Sequence, residues 1–323
     1  MKTEDFCGKL ILAPMAGYTN LPFRLLSREY GADITVSEMI SAKGLYYLDK
    51  KTEKLMATTD VETPFGIQLF GSDPEILSDV AGKLRIRNND PEDPVRFDFI
   101  DFNAGCPAPK IVKNGDGSAL LTRPLLLGQC IESLVEASDV PVTVKIRKGF
   151  NKGENFSKTL AELSERAGAS ALAVHGRTRE EYYQGHSDWN AVAEAAAAVD
   201  IPVILSGDIH NLQDAERALK TGVKSLMIGR AAVGDPVLFR RIKNGLKKEQ
   251  ENCSDDNVQE RIRAALRHIE LTEQYDNSKY AIIEMRKHLA AYTKGLPDSS
   301  SLRNKIFHVT TPEDACNLFA DFL

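Results

Sequence analysis

Residues 203–230 read VILSGDIHNLQDAERALKTGVKSLMIGR and contain the repeating unit on which the fold prediction depends. Two short apolar runs, VILS and SLMI, flank a segment in which apolar residues recur at helical spacing and which ends at Gly222. Glycine just after the last periodic residue is a common helix terminator. A strand, a helix and a second strand in this order predict two parallel strands joined by a helical crossover.

The same alternation extends through most of the chain. Six more apolar runs predict strands that end near Ala13, Ser37, Leu69, Asn103, Lys145 and His175. Eight strand–helix units over about 230 residues match a (β/α)8 barrel, the TIM-barrel architecture. A doubly wound parallel sheet can also hold eight strands, but no GxGxxG motif follows the first strand, which disfavours that fold.

The pattern changes after Ile242, where strand-like runs stop. Amphipathic helices are predicted over residues 254–275, 279–297 and 311–323. The last of these has Thr311 as its expected cap and Pro312 at its first position. We therefore expect a barrel domain over residues 1–242, followed by a small C-terminal helical domain over residues 243–323.

Residues 85–98, RIRNNDPEDPVRFD, are charged and contain two prolines. Clusters of this composition between periodic segments are typical of loops. The sequence predicts an exposed loop here, ahead of the fourth strand.

The composition excludes several classes of protein. Hydrophobic content of 42% and charged content of 27% are ordinary for a globular protein, and no apolar run approaches the roughly 18–20 residues of a membrane span. The N-terminus has acidic residues ahead of only a short apolar stretch, unlike a signal peptide. We expect a cytoplasmic protein with no membrane partner.

The five cysteines are scattered and form no CxxC pair, so neither a disulfide framework nor a structural metal site is predicted. Free cysteine usually behaves as a small buried hydrophobe. Cys7, Cys130 and Cys316 are therefore expected to be packing residues, and Cys106 is the exception considered below.

Charge is unevenly distributed along the chain. Residues 240–323 carry a net charge of +1, whereas the first 239 residues carry −6. Residues 279–305 contain six basic residues and only two acidic ones, Glu284 and Asp298. A local basic patch of this kind can bind phosphates although the whole chain is acidic.

The residues that follow the predicted strands, at the edge where a (β/α)8 barrel carries its chemistry, are unusually polar as a set. They are Pro14, Met15, Ala16, Glu38, Gln68, Asn103, Cys106, Lys145, Arg147, His175, Arg177, Ser206, Gly207, Asp208, Gly229 and Arg230. Each one alone is equally consistent with a solvated strand end. Together at one face they predict a single bound ligand.

The last two strands favour a phosphate at this ligand site. Glycines follow strands seven and eight, where barrels of this type bind phosphate with backbone N–H groups. Lys145 and His175 come from strands five and six and can reach a flat, electron-rich ring. An ammonium beside a flavin stabilises its anionic reduced form, so we predict a phosphate-bearing cofactor, FMN.

Several motifs occur in order through the barrel: PMAGYTNLPFR, SEMI, IQLFGSDP, DFNAGCPAPKIVKNGDGSALL, VTVKIRKGF, HGRTREEYYQG, SGDI and MIGRAAVGDP. On these residues the chain resembles the tRNA-dihydrouridine synthase family, from about residue 10 to residue 240. The tail motif MRKHLAAYTKG is similar to the RNA-binding domain of that family, less sharply. The resemblance implies an FMN barrel that uses NADPH or NADH to reduce the C5–C6 bond of particular uridines in tRNA.

The resemblance also implies roles for individual residues. Pro14, Met15 and Ala16 would line the flavin, Gln68 and Lys145 would hydrogen-bond its ring, and His175 would lie beside it. The cofactor phosphate would be held by Ser206, Gly207, Asp208, Gly229 and Arg230. Asn103 and Arg177 would orient the uracil base, with Cys106 as the proton donor. Further substrate contacts are expected from Arg147, Arg179, Arg286 and Lys287. The family usually has Asn where this chain has Ser206. A contact with the cofactor through the backbone would survive this difference, whereas a contact through the Asn side-chain amide would not.

Two other functions agree with parts of the sequence. Another FMN barrel oxidoreductase, such as a relative of dihydroorotate dehydrogenase, shares the phosphate site and a lysine but does not need a basic helical tail. An RNA-binding protein whose barrel has lost its chemistry would not be expected to keep the cysteine loop intact.

Cys106 lies in a Gly-Cys-Pro turn at a strand end. A metal role lacks partner ligands, and a nucleophile would need a lowered pKa. A thiol with its usual pKa near 8.5 is mostly protonated at pH 7, so it can act as a general acid on uracil C5. The loop after it contains Gly115 and Gly117, and we expect this loop to close over the base.

Overall fold

The computed structural model describes residues 1–248, 258–276, 278, 280–320 and 322. Its strands are β1 (Leu10–Leu12), β2 (Thr35–Val36), β3 (Ile40–Ser41), β4 (Phe65–Phe70), β5 (Phe99–Ala104), β6 (Val142–Gly149), β7 (Ala171–Thr178), β8 (Val203–Ser206) and β9 (Ser225–Ile228). All are parallel, in the order β1-β9-β8-β7-β6-β5-β4-β2, and β3 also pairs with β4.

The sheet closes on itself between β1 and β2. A parallel bridge joins Ile11 to Ile34, and the Leu12 N–H donates to the Ile34 carbonyl over 3.0 Å. The strands β2 and β3 are two pieces of the second barrel position, since both pair with β4. The predicted (β/α)8 barrel is therefore confirmed, and the short strand β3, beyond the predicted end at Ser37, was not predicted.

Helices cover the outside of this barrel and form the C-terminal part of the chain. They are α1 (Leu21–Glu29), α2 (Ala42–Tyr46), α3 (Lys50–Glu53), α4 (Pro74–Asn89), α5 (Pro109–Lys113), α6 (Pro124–Ala137), α7 (Ser157–Arg166), α8 (Trp189–Ala198), α9 (Leu212–Leu219), α10 (Leu238–Lys247), α11 (Val258–Tyr275), α12 (Ala281–Tyr292), α13 (Ser299–Ile306) and α14 (Pro312–Ala320).

The predicted loop over 85–98 was wrong in its first third, because α4 continues to Asn89. The last turn of α4 is held by Arg87, whose guanidinium contacts Asp93 at 2.7 Å and Glu53 at 2.8 Å. Ion pairs of Arg87 thus extend this helix into a segment whose composition predicts a loop. The predicted cap of α14 is confirmed, since the Thr311 hydroxyl accepts from the Asp314 N–H at 3.1 Å.

A helical tail follows the barrel, as predicted, and packs on its first helix. The guanidinium of Arg267 in α11 contacts the Glu29 carboxylate of α1 at 2.8 Å. Residues 254–257 of the first predicted tail helix lie outside the described residues, and α13 was not predicted. Helix α10 runs across the predicted domain boundary at residue 242, and the division into two domains stays a prediction.

The core has two layers. The larger lies between the strands and the surrounding helices, and the smaller fills the barrel with residues such as Ile11, Ile34 and Phe99. Phe6 closes the N-terminal end of the barrel, with its ring edge against Phe99 at 5.2 Å between centroids. The bottom of the barrel is therefore a packed apolar plug, which leaves its C-terminal mouth for a ligand.

Along β5 and β6 the residues that face the barrel interior change from apolar to polar toward this mouth. Strand β5 presents Phe99, then Asp101 and Asn103, and Lys145 of β6 pairs in register with Asn103. The alternation of side chains along a strand therefore delivers polar groups to the mouth from neighbouring strands.

Three cysteines were predicted to be packing residues. Cys130 is buried, Cys316 is partly buried, and Cys7 is exposed. The prediction was wrong for Cys7, because it follows the short 3-10 helix Thr3–Phe6 at the protein surface. Within the described ranges, no helix is long and apolar enough to cross a membrane, and no group of three or more His, Cys, Asp or Glu side chains is placed to hold a metal ion.

Candidate active site

A cavity of about 760 Å³ opens at the C-terminal mouth of the barrel. Ten of the predicted site residues line it: Pro14, Met15, Ala16, Gln68, Asn103, Cys106, Lys145, Arg147, His175 and Arg230. A smaller cavity of about 90 Å³ shares Lys145, His175 and Arg230, and Ser206, Gly207, Asp208 and Gly229 line it as well. The strands thus bring most of the predicted residues to one continuous space.

Lys145 is the central cation of this space. Its pKa is lowered to about 8, first by burial and then by the neighbouring Arg147 guanidinium, while Asp101 and Cys106 oppose the shift. Within the described part of the chain, no acceptor lies at hydrogen-bond distance from its ammonium. A partly buried cation without a hydrogen-bonded anion favours an anionic or electron-rich ligand in the cavity.

The Cys106 turn is held by hydrogen bonds on both sides. The Asn103 side-chain oxygen accepts from the N–H groups of Gly105 at 3.1 Å and Cys106 at 2.9 Å. The Arg147 guanidinium donates to the Gly105 carbonyl at 3.0 Å. Burial raises the pKa of the Cys106 thiol, so it is protonated at neutral pH. This state suits a general acid and not a nucleophile.

The loop after Cys106 is packed in this structure, and its closure over a ligand stays a prediction. Residues Gly117–Thr122 form a 3-10 helix, and Gly117 to Leu121 are buried. A Cβ at Gly117 would lie 3.0 Å from the Cys106 Cβ and from its carbonyl oxygen, and Gly117 has φ +58°. The Ser118 N–H also donates to the Cys106 carbonyl at 3.1 Å. The glycine therefore permits close packing beneath Cys106.

Beneath the cavity floor, two residues that sequence reasoning missed join the predicted ones. The Asp101 carboxylate accepts from Gln68 Nε2 and from the Thr143 hydroxyl, both at 2.6 Å. The Asn103 Nδ2 in turn donates to Gln68 Oε1 at 2.9 Å. The sequence signal for Asp101 and Thr143 is a polar residue in an otherwise apolar strand. Each lies two positions before Asn103 or Lys145, so its side chain also faces the barrel interior.

Arg177 lies beside the cavities with its donors directed into the protein. It donates to the Gln184 carbonyl at 3.0 Å, and to the Gly185 carbonyl and the Asp208 carboxylate at 2.7 Å each. Its Nη1 lies 3.3 Å from His175 Nε2. Arg177 therefore joins the ends of β7 and β8, and contact with a base stays a prediction.

His175 is neutral in this environment. Its pKa is lowered well below the usual value, first by burial and then by the cations Arg147, Lys145, Arg177 and Arg230. Because a guanidinium can only donate, the Nε2 that faces Arg177 is the acceptor and the ring proton is on Nδ1. Such a ring can lie beside a flat ligand without adding a charge.

The ends of β8 and β9 form an anion-binding corner. Gly207 and Asp208 both have positive φ, +111° and +57°, and such backbone conformations turn successive N–H groups to one side. Over the described ranges, no protein acceptor is found for the N–H groups of Gly207, Asp208, Gly229 and Arg230. The half-exposed Arg230 guanidinium lies at the same corner, 3.6 Å from the Asp208 carboxylate.

The Asp208 side chain is turned away from this corner. Its carboxylate accepts from the Ser187 N–H and from Arg177, both at 2.7 Å. Burial alone would raise the pKa of Asp208, but these two hydrogen bonds outweigh it and the pKa is lowered. Asp208 can therefore serve an anion through its backbone N–H while its carboxylate aligns the two arginines.

Besides Arg177, three more predicted substrate contacts lie outside the lining of the two cavities. Arg179 packs over the rings of Phe150 and Tyr182, at 5.2 and 5.8 Å. Arg286 donates to a carbonyl within the tail. Lys287 is exposed at the mouth, 5.4 Å from the ring centroid of Tyr18, which itself lines the large cavity.

Tyr183 lines both cavities and was not predicted. Its ring is 52% exposed and lies 4.4 Å from the Arg230 guanidinium and 5.5 Å from that of Arg147. The double tyrosine in the motif EEYYQG was the available sequence signal. The aromatic ring bridges the anion corner and the region around Cys106.

The geometry as a whole combines an anion corner, a partly buried cation and a protonated thiol in two cavities that share lining residues. It can bind a flat ring that carries a phosphate and can supply a proton to a second ligand above it. Among the described residues, no Asp or Glu lines the cavity that contains Cys106, and the buried Asp101 carboxyl is bonded to Gln68, which in turn accepts from Asn103.

Comparison with known proteins agrees with this geometry. The family model for dihydrouridine synthases matches residues 11–323. A probable tRNA-dihydrouridine synthase of Rickettsia conorii is 34% identical over 320 residues, which cover 98% of this chain and 94% of that protein. The tRNA-dihydrouridine synthase B of Pseudomonas aeruginosa is 35% identical over 96% of this chain and 91% of that protein, and its counterpart in Xanthomonas campestris pv. campestris is 36% identical over 97% and 92%. This chain belongs to the dihydrouridine synthase family.

Proposed function

We propose that the chain is a tRNA-dihydrouridine synthase, which reduces the C5–C6 bond of specific uridines in tRNA with FMN as cofactor and NADPH or NADH as reductant. The observation that carries this proposal is the pair of adjacent cavities, joined by Lys145, His175 and Arg230, that present an anion corner, the Lys145 ammonium and the protonated Cys106 thiol. The family match and the names of the relatives support the same activity.

The residues present fit FMN. The N–H groups of Gly207, Asp208, Gly229 and Arg230 have no protein acceptor within the described ranges, and together with the Arg230 guanidinium they would hold the phosphate. Gln68 and Lys145 would contact the ring, with Pro14, Met15, Ala16, Ser206 and the neutral His175 beside it. When bound, FMN supplies the hydride that C6 of the uracil ring accepts. The Lys145 ammonium stabilises negative charge on the reduced ring.

The uracil base would lie between the cofactor and the Cys106 turn. Asn103 keeps one amide hydrogen that the protein does not use, and this hydrogen can hold a ring carbonyl. The Cys106 thiol donates its proton to C5 as the hydride reaches C6. The cations Arg147 and Lys145, which lower the pKa of this thiol in opposition to burial, stabilise the thiolate that is left.

The helical tail, residues 243–323, would bind the tRNA body. Lys287 supports this proposal because its ammonium is exposed at the cavity mouth beside Tyr18. A cation there can contact the phosphates that flank a base inserted into the cavity. The contribution of Arg286, which is bonded inside the tail, would be to shape this surface. We infer the cytoplasm as the compartment, since the proposed substrate is tRNA.

The test is reconstitution with defined components. The purified chain is incubated with FMN, NADPH and an unmodified tRNA transcript, and dihydrouridine is mapped by mass spectrometry of nuclease fragments. We expect product at particular uridines and none when tRNA, reductant or FMN is omitted. Oxidation of NADPH without dihydrouridine in any transcript, or with uracil or orotate as the better flavin oxidant, would contradict the proposal.

A further inference from the structure

Asp101 is a buried acid that the proposed chemistry does not use. It lies on β5 with 2% of its surface exposed, and its two oxygens accept from Gln68 Nε2 and the Thr143 hydroxyl at 2.6 Å each. Burial raises the pKa of this carboxyl group, against its two hydrogen bonds and the charge of Lys145, so the direction of bonding is set from the other end of the row. The NH₂ end of the Gln68 amide faces Asp101, and its oxygen faces Asn103.

This orientation passes to Asn103 and then to the Cys106 turn. Gln68 Oε1 accepts from Asn103 Nδ2 at 2.9 Å, which leaves Asn103 Oδ1 to accept the N–H groups of Gly105 and Cys106. A backbone N–H can only donate, so the turn fixes the Asn103 oxygen on its own side and makes Asp101 the acceptor at the far end. The row of two amides between these ends therefore has one direction of hydrogen bonding. A flip of either amide would place two donors or two acceptors against each other.

We propose that Asp101 is a positioning residue: through Gln68 and Asn103 it holds the Cys106 turn and fixes which atoms of these amides face the cavity. Both lone pairs of Asn103 Oδ1 are used by the turn, and one hydrogen of Nδ2 is used by Gln68. What Asn103 offers to a ligand is thus a donor and not an acceptor.

This has a consequence for the ligand, which rests on the proposed function. A donor in the cavity matches a ring carbonyl and opposes an exocyclic amino group. Uracil has a carbonyl at C4 where cytosine has an amino group, so the fixed direction favours uracil wherever Asn103 contacts that edge. The positioning of Cys106 itself does not depend on the identity of the substrate.

Three variants separate positioning from simple burial. Asp101→Asn keeps an oxygen that can accept from Gln68, and its amide can donate to the Thr143 hydroxyl. Asp101→Leu removes the acceptor at similar volume. Thr143→Val removes a donor to Asp101 and leaves the contact with Gln68 in place. A structural role alone predicts a general loss of stability, graded by how well each side chain packs.

The measurement is hydrogen–deuterium exchange of a peptide that contains Gly105 and Cys106, with a peptide from β8 as the control for the fold. In the purified chain without tRNA, we expect Asp101→Leu to speed exchange at the turn by about tenfold, the order expected when a buried charge-assisted hydrogen bond is lost. Asp101→Asn and Thr143→Val should stay within about twofold of the wild type, a fraction of that effect. Faster exchange at the turn in Asp101→Leu with unchanged exchange in the β8 peptide is the result that a general loss of packing does not predict.

Unchanged exchange at the turn in Asp101→Leu, an equal increase in Asp101→Asn, or an equal increase in the β8 peptide would each overturn the proposal. If Asp101→Leu does not fold, Gln68→Leu interrupts the row at its middle and should give the same local increase, and its absence would overturn the proposal too. Since the readout needs no tRNA and no turnover, it decides the positioning role even if dihydrouridine formation is never observed. With active enzyme, kcat in Asp101→Leu should fall while the KM for tRNA stays near its original value.

Discussion

Arg286 donates two hydrogen bonds to the carbonyl of Val309, at 2.8 Å from Nε and 2.6 Å from Nη2. The guanidinium therefore joins α12 to the segment ahead of α14 and is partly buried. Its neighbour Lys287 is exposed and points toward Tyr18 at the cavity mouth. Two adjacent basic residues that look alike in sequence thus have different surroundings, and their substitutions should have different effects.

Lys287→Glu should weaken tRNA binding and reduce its salt dependence. Each phosphate contact that is lost lowers the log–log slope of affinity against salt by about 0.7–0.9. NADPH oxidation should be almost unchanged, because Lys287 does not line the cavity. The check is a binding titration over a series of salt concentrations, and equal affinity at low salt would show that Lys287 is only a solvated surface residue.

Arg286→Leu is expected to act on stability first. It leaves the Val309 carbonyl without its two donors, a loss of about 1–3 kcal/mol in the free energy of unfolding. Urea denaturation measures this directly, with Lys287→Glu as the matched variant that should unfold like the wild type. A fall in tRNA affinity without any fall in stability would mean that Arg286 contacts RNA itself.

Lys145→Met and Arg230→Ala should each yield protein with less FMN. One removes the cation that faces the ring and the other removes a cation from the phosphate corner. A charged hydrogen bond of this kind contributes about 1.5–3 kcal/mol, so occupancy should fall roughly tenfold or more where it is limiting. Flavin absorbance after purification and titration of the apoprotein measure the effect.

The matched control is Arg217→Ala, which removes an exposed arginine that lies 5.5 Å from the Trp189 ring in the neighbouring groove. We expect normal FMN content in this control. Full flavin content in both test variants would contradict the assignment of the anion corner as the phosphate site and of Lys145 as a contact of the flavin ring.

The buried histidine pair makes stability depend on pH. His268 and His288 lie 4.8 Å apart between ring centroids, and burial lowers the pKa of His268 well below its usual value and that of His288 to about 3. The unfolded chain binds protons near pH 6.5, and the folded chain does not until the pH is much lower. The stabilisation is therefore complete above about pH 6.5 and is lost as the pH falls toward 3, by up to about 1.4 kcal/mol per pH unit for each histidine.

His288→Phe keeps an aromatic side chain against Phe23 and His268 and removes one of these titrations. The difference in unfolding free energy between pH 7 and pH 5 should shrink by about 2 kcal/mol, the value for one proton over roughly 1.5 pH units. Urea denaturation at the two pH values measures it. His308→Phe, at an exposed position, should leave the difference unaltered, and an unaltered difference in His288→Phe as well would refute this source of acid sensitivity.

The barrel was predictable because its strands are short apolar runs separated by amphipathic helices, and this local pattern determines the (β/α)8 topology. What the pattern could not provide was decided by contacts between distant residues. Helix α4 extends through a charged segment because Arg87 pairs with Asp93 and Glu53. The second strand is divided because both β2 and β3 find partners on β4.

The sequence predicted which residues form the candidate site, but not the hydrogen bonds between them. Most of the predicted residues meet at the mouth because the C-terminal ends of parallel strands share one edge. Asp101 and Thr143 were missed because their function depends on a hydrogen-bonded row across three strands. Arg177 was expected to face the substrate, and its partners are the Gln184 and Gly185 carbonyls and Asp208, which sequence spacing does not reveal.

The most direct test of the account is product formation by Cys106→Ala. The thiol lines the cavity, is protonated because burial raises its pKa, and is held by Asn103 and Arg147 through its turn. We expect the variant to keep FMN, NADPH oxidation and tRNA binding, while dihydrouridine formation falls by about 10²-fold or more, the contribution typical of a general acid. Dihydrouridine formation at a near-normal rate in this variant would contradict the assignment of Cys106 as the proton donor.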